Sequence, residues 1–339
     1  MPRTALLRDW LERQFPQFSQ RQAGPAWSIA PASADASFRR YFRVSLPDGE
    51  TRIVMDAPPE LEDCRPFVKV ARLFREAGAH VPEVFAEDHA QGFLLLSDLG
   101  TTTYLQALDA QTAPRLYGDA NAALVAIQRA SRAGVLPDYD EALLARELSL
   151  FPDWYVARHL GVALDARQQK TLQDVFARIL ANNLKQPRVF VHRDYHSRNL
   201  MVFADANPGV SDFQDAVYGP ITYALVSLYR DAYIRWDEKD ELDFVIRYWE
   251  AARAAGLPVH ADFDAFYRDY EWMGAQRQLK VLGIFARLYH RDGKDGYLKD
   301  MPTVMSYLRR TCERYADLAP LARLLDQFEN RAAASGLTF

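Results

Sequence analysis

His192, Arg193, Asp194 and Asn199 fall in the pattern H-R-D-x-x-x-x-N, and Asp212-Phe213 follow after a second apolar stretch. That order suits phosphoryl transfer. A moving phosphoryl group asks for little covalent help, but its charge must be neutralised and the acceptor hydroxyl held in line. Asn199 and Asp212 bring oxygen donors suited to hard Mg²⁺, and Asp194, on the same loop, is placed to accept the hydroxyl proton. His192 is counted with the catalytic group as the brace of that loop. A competing reading makes His192-x-Asp194-x-His196 the ligands of one transition metal in a hydrolase. Such a site needs more ligands, and His80, His89, His159, His260, His290, Cys64 and Cys312 are scattered singly.

The elements that must position this loop are legible around it. Val189 to Val191 and Leu200 to Val202 read as short strands, with another at Val210. Upstream, Thr4 to Phe15 reads as a helix, followed by strands at Trp27 to Ala30, Phe38 to Leu46 and Thr51 to Ala57, the last two joined by a Pro47-Asp48-Gly49 turn. Pro59 and Glu60 open a predicted helix to Ala77, and strands are predicted at Val81 to Ala86 and Gly92 to Leu96. Ser97, Asp98 and Leu99 then form a hinge whose backbone suits an adenine ring. The small residues of Pro31 to Ser37 are a candidate phosphate-covering turn.

In the second strand the period of two puts Arg39, Tyr41 and Arg43 on one face. The next strand, Arg52 to Asp56, carries no Lys for the nucleotide phosphates, so Arg43 or Arg39 is expected to serve in its place. From Gly100 onward the pattern is mainly helical: 112–131, 140–159, 165–183, a segment with Pro220 at its first position running to about Trp236, then 238–255, 262–290, 297–316 and 321–332. The composition shift predicts a β-rich lobe over 1–98 and a helical lobe over 99–339. Glu147 and Trp154 lie seven residues apart, nearly two helical turns, which would pair a carboxylate with an aromatic sugar platform.

The chain has 339 residues, 49% of them hydrophobic, enough for a substantial core in two lobes. A net charge of -4 with a pI near 6.0 gives no general attraction to nucleic acid. No run approaches the ~20 apolar residues of a membrane span. Two distant cysteines and no secretory leader pattern point to the cytoplasm, and a monomer is expected.

Further matching stretches are Ser37 to Arg43, Val54 to Pro58, Phe93 to Gly100, Glu147 to Phe151 with Trp154-Tyr155, and Asp212 to Pro220. With the loop, they make the chain resemble the aminoglycoside phosphotransferase-like kinases. The resemblance implies an α+β, bilobal protein-kinase-like fold with ATP and Mg²⁺ as cofactors. Nearly end to end it follows one bacterial group in that family, which phosphorylates the anomeric C1 hydroxyl of N-acetyl amino sugars during peptidoglycan recycling and is associated with fosfomycin tolerance. The implied partner is therefore a small amino sugar. Arg193, Arg198 and Arg230 are candidates for a lactyl carboxylate, and Glu147, Trp154 and Asp215 for the sugar hydroxyls and face. In one respect the chain departs from the pattern: Ala224 stands where the family has an Asp that buttresses the catalytic loop. Two other readings follow: a kinase of the same fold for another small hydroxyl (an aminoglycoside, choline or homoserine), and a catalytically weak nucleotide-binding module.

Overall fold

The computed structural model describes residues 3–16, 27–34, 38–204 and 206–334. The chain divides into two compact units, Met1–Thr102 with Leu200–Asp215, and Thr103–Asn199 with Ala216–Phe339. The first boundary lies a few residues beyond the one expected at 98/99. The second feature was not foreseen: the stretch carrying Asp212 packs with the sheet, whereas Asp194 and Asn199 belong to the helical unit.

The first unit is built on a five-stranded antiparallel sheet in the order β1-β2-β3-β5-β4, with β1 Ser28–Ala34, β2 Arg40–Ser45, β3 Thr51–Asp56, β4 Val84–Asp88 and β5 Phe93–Ser97. β1 runs four residues past its expected end, so Pro31 to Ala34 are strand rather than loop; the rest of the candidate phosphate-covering turn, 35–37, lies outside the described residues. Helix α1, Arg3–Gln14, buries Leu7, Trp10 and Leu11 in a core with Trp27, Val44, Val54, Phe93 and Leu95. Helix α2 is Arg65–Glu76, starting later than Pro59 because Leu61 N and Glu62 N turn back onto Pro58 O. Pro66 sits in its first turn, where a missing N–H costs nothing. Phe67 and Phe74 of α2 meet the Phe213 ring at 4.8 and 5.9 Å. The pair β7, Leu200–Met201, and β8, Gly209–Val210, completes this unit.

The second unit is mainly helical. It comprises α3 Tyr104–Ala107, α4 Ala113–Arg129, α5 Glu141–Leu150, α6 Ala166–Asn183, α7 Tyr223–Tyr229, α8 Glu238–Ala254, α9 Phe263–Asp292, α10 Met301–Arg314 and α11 Ala319–Ala334, with β6 Arg188–Val191 paired antiparallel to β9 Val217–Pro220. Pro220 therefore ends a strand instead of opening a helix, since its register partner is Arg188. The helix that follows stops at Tyr229, where Arg230 leaves helical geometry. Most of the unit's core lies around α9, a 30-residue helix. At Gly283 the backbone of α9 approaches Leu150 so closely that a Cβ would sit 2.4 Å from the Leu150 carbonyl carbon. Beside that contact α5 passes into a π-helical stretch, Phe151–His159, with Pro152 in its first turn unable to donate to the regular ladder. The changed winding ends the helical phase that related Glu147 to Trp154.

Candidate active site

β6 delivers His192 and Asp194 to a loop that the helical unit grips at several points. His192 is fully buried and its Nδ1 accepts the Asp194 N–H at 3.3 Å. Asn199 Nδ2 donates to Asp194 O at 3.0 Å, so Asp194 is fixed through its backbone from both sides in a partly buried position. Tyr195 Oη reaches Ala120 O of α4 at 2.8 Å, and Leu105 N donates to Ser197 O at 3.0 Å. The buttress expected to be missing at Ala224 is supplied from further along the chain. Ala224 is an ordinary core residue of α7, whereas buried Asp231 accepts Ser197 N at 3.0 Å, the Ser197 hydroxyl, and Tyr233 N at 3.1 Å.

Arg193 holds a positive φ of 73°, a region costly for a side-chain-bearing residue, by roughly 1–3 kcal/mol. What keeps it there is a buried ion cluster. Its Nη2 lies 2.5 Å from Glu147 Oε1, Lys280 Nζ is 2.9 Å from the same oxygen, and the Tyr139 hydroxyl donates to Oε2. Lys280 also donates to the Tyr223 hydroxyl at 2.8 Å. Tyr139 itself packs against Gly219 of β9, where a Cβ would lie 2.5 Å from the Tyr139 Cβ. Burial alone pushes the Glu147 carboxyl up, but Lys280 and Arg193 outweigh it and hold the group below its ordinary value. The charged form thus contributes stability above a pH of about 4.3, lost as pH falls through the lower folded value. Glu147→Gln is expected to cost about 1–3 kcal/mol at neutral pH and to flatten the acid limb of stability; thermal midpoints of both proteins from pH 3 to 7 test this.

The helical unit thus gives Glu147 and Arg193 to loop support, which displaces their expected roles as sugar ligands. Trp154 is partly buried against the core around α9. Arg230 does not reach a substrate either. Its side chain is 0% exposed and clamped by Glu241 at 2.6 Å, Glu271 at 3.0 Å and the Thr311 hydroxyl at 2.9 Å. Arg198 is exposed, its guanidinium 3.5 Å above the Tyr233 ring. The residue missed by sequence is Arg277 of α9, buried yet acting on Asp194. Its signal was the run Gln276-Arg277-Gln278 with Lys280 between the apolar stretches Trp272 to Ala275 and Val281 to Phe285.

In the sheet unit, Asp212 has a φ of 58° and its side chain is 35% exposed. Arg39 Nη2 stands 3.7 Å from its Oδ1, and Gln214 Nε2 donates to the same oxygen at 2.8 Å. Asp215 is exposed beside it. Arg43 is engaged elsewhere: its guanidinium binds both Asp98 oxygens, at 2.6 and 3.0 Å, and Gly100 O at 3.0 Å, locking β2 to the hinge. Burial raises the Asp98 carboxyl, but the hydrogen bonds from Arg43 and the Gly100 N–H hold it below its ordinary value. Ser97 Oγ accepts Glu83 N at 2.9 Å, and Leu99 packs on Gly209 of β8. Of the two candidate arginines, only Arg39 sits beside the Asp212 carboxylate. Arg39→Ala is expected to raise KM for ATP about tenfold, the loss of one charged hydrogen bond, while Arg43→Ala lowers thermal stability; ADP-release kinetics and melting curves separate the two.

Among the described residues no group of three or more His, Cys, Asp or Glu is arranged to hold a metal, so His192, Asp194 and His196 do not form a transition-metal cage. The donor chemistry fits Mg²⁺ instead, which keeps waters and substrate phosphates and needs only one or two protein oxygens. No described helix is long and apolar enough to cross a membrane.

The sheet, hinge, helical unit and H-R-D-x-x-x-x-N loop define a phosphotransferase of protein-kinase-like fold. The chain belongs to the phosphotransferase enzyme family, whose model matches residues 28–263. It is 48% identical over 344 aligned positions to the N-acetylmuramate/N-acetylglucosamine kinase of Neisseria meningitidis, covering 100% of both chains. To the enzyme of the same name from Pseudomonas aeruginosa it is 49% identical over 331 positions, 97% of each. Among solved structures, choline kinase LicA from Streptococcus pneumoniae matches with a TM-score of 0.61 at 12% identity, over 89% of this chain and 98% of that one, a likeness of fold alone.

Proposed function

We propose that this chain is a cytoplasmic kinase that moves the γ-phosphoryl group of ATP to the anomeric C1 hydroxyl of N-acetylmuramate and N-acetylglucosamine. The product is the α-1-phosphate, a step of cell-wall sugar recycling that bears on fosfomycin tolerance. The observation that carries the reading is full-length similarity, near one residue in two, to kinases named for these two sugars. Asp194 orients the C1 hydroxyl and takes its proton, and an anomeric hydroxyl, more acidic than other sugar hydroxyls, needs only a modest carboxylate base. Asn199 and Asp212 would hold Mg²⁺, which neutralises charge on the ATP phosphates. Arg39 binds the phosphates and the Ser97 to Leu99 backbone the adenine. Asp231 supports a competent loop, which speaks against the reading as a weak nucleotide-binding module.

The test is ADP release with N-acetylglucosamine, N-acetylmuramate and their 1-O-methyl glycosides. Turnover of the free sugars with none of the glycosides is expected. Phosphorylation of the glycosides would refute the anomeric assignment, and turnover of an aminoglycoside or choline alone would replace the substrate class.

A further inference from the structure

Arg277 is only 5% exposed, yet among the described residues no carboxylate lies within ion-pairing distance of its guanidinium. Every other buried cation of the helical unit discussed above has a partner: Arg230 has Glu241 and Glu271, and Arg193 and Lys280 share Glu147. A guanidinium kept nearly out of water with no direct ion pair is costly, which suits a site that takes an arriving anion.

Its surroundings show which side of the reaction that anion enters from. Arg277 lies three residues before Lys280 on α9, on the helix face that bears on the catalytic loop. Its charge acts on the Asp194 carboxyl, on the His196 ring and on the Tyr233 hydroxyl. Tyr233 is part of an aromatic wall: His196 meets it edge-on at 5.6 Å, Phe285 lies at 6.4 Å, and Tyr297 packs on Phe285 at 5.2 Å. Exposed Arg198 caps the Tyr233 ring at 3.5 Å and leans toward Tyr297 at 5.9 Å. Arg198 thus places a second, exposed cation on this wall. All these groups belong to the helical unit, as Asp194 does.

We propose that Arg277 anchors the carboxylate of an acidic amino sugar and sets the preference for N-acetylmuramate over N-acetylglucosamine. The two sugars differ by a lactyl ether whose carboxylate matches the guanidinium fork, and a neutral sugar leaves that fork unused. This rests on the amino-sugar kinase reading above.

The experiment compares wild type, Arg277→Met and Arg277→Lys in steady-state kinetics on both sugars and on the amide of N-acetylmuramate. For Arg277→Met the KM for N-acetylmuramate is expected to rise roughly 10- to 100-fold while the KM for N-acetylglucosamine stays within about threefold, and the kcat change caused by the lost charge near Asp194 falls equally on both sugars. The ratio of kcat/KM between the two sugars therefore falls at least about tenfold, and Lys restores part of it. Wild type is expected to handle the amide as poorly as Arg277→Met handles the acid, a comparison that needs no altered protein, and Arg277→Met should treat acid and amide alike. An unchanged ratio, or a wild type indifferent to the amide, overturns the assignment. Equal kcat losses on both sugars with the KM ratio unchanged would confine Arg277 to an effect on Asp194 and overturn it too. If wild type phosphorylates neither sugar, the amino-sugar reading falls and this inference with it.

Discussion

Asp194→Asn is expected to lower turnover on either amino sugar by about 10²- to 10³-fold, within the range a positioned general base contributes. The substitution keeps the loop because the backbone bonds that fix the residue, to His192 Nδ1 and from Asn199, do not involve its carboxylate. What it removes is the base. Burial raises that carboxyl, but Lys280, His196, Arg277 and Arg193 together outweigh burial and hold it below its ordinary value, so wild type presents a charged acceptor at neutral pH. The low end of the range is the relevant one, because an anomeric hydroxyl ionises more readily than an ordinary alcohol. KM for ATP should stay within about threefold, since Asp194 is asked to hold the acceptor and not the nucleotide. Initial rates of ADP release, with and without sugar, measure both quantities. Retained kcat would show that the hydroxyl needs no protein base and that Asp194 only positions it.

The largest stability effect is expected at Arg230. Arg230→Met leaves Glu241 and Glu271 buried with one cation fewer between them, and breaking a buried pair from one side costs about 3–5 kcal/mol. Arg310 and Arg314 still reach the two carboxylates, Arg314 Nη1 at 2.6 Å from Glu271 Oε1, which keeps the cost finite. Tyr270 and Tyr315 add hydrogen bonds to the same acids at 3.1 and 2.7 Å. Urea unfolding followed by far-UV circular dichroism reads the loss as a lower midpoint at similar slope. KM for the sugar in the folded fraction should not change. A selective rise in sugar KM at wild-type stability would return Arg230 to the acceptor site, the role its sequence context suggested.

That contrast shows where sequence reading stops. The loop was readable because its residues are neighbours in the chain: His192, Asp194 and Asn199 are positioned by one another through two backbone bonds. The strands around it were nearly as legible, because alternation and turn residues are local signals. The substrate arginines were not legible. Arg193, Arg198, Arg230 and Arg277 are chemically identical in a sequence, and what separates them is which already has an acid. Glu147 takes Arg193, Glu241 and Glu271 take Arg230, and among the described residues no carboxylate forms an ion pair with Arg277. Similarly, Ala224 looked like a lost buttress because the expected carboxylate was sought at one position, while Asp231 fills the need from the end of the same short helix. The phase that related Trp154 to Glu147 assumed a regular helix, whereas the segment from Phe151 winds as a π-helix.

By itself, then, the sequence determined the phosphotransferase loop, its candidate base and hard-cation donors, a β-rich first part and a helical remainder. These depend on residue type and short spacing, which chain connectivity fixes. Only the tertiary structure decided which buried cations are paired with carboxylates among the described residues, that Asp212 travels with the sheet and Asp194 with the helices, and that a carboxylate distant from the family position holds the loop. Those outcomes rest on pairings between residues tens of positions apart, and a charge pair 4 Å across leaves no periodic mark in the chain.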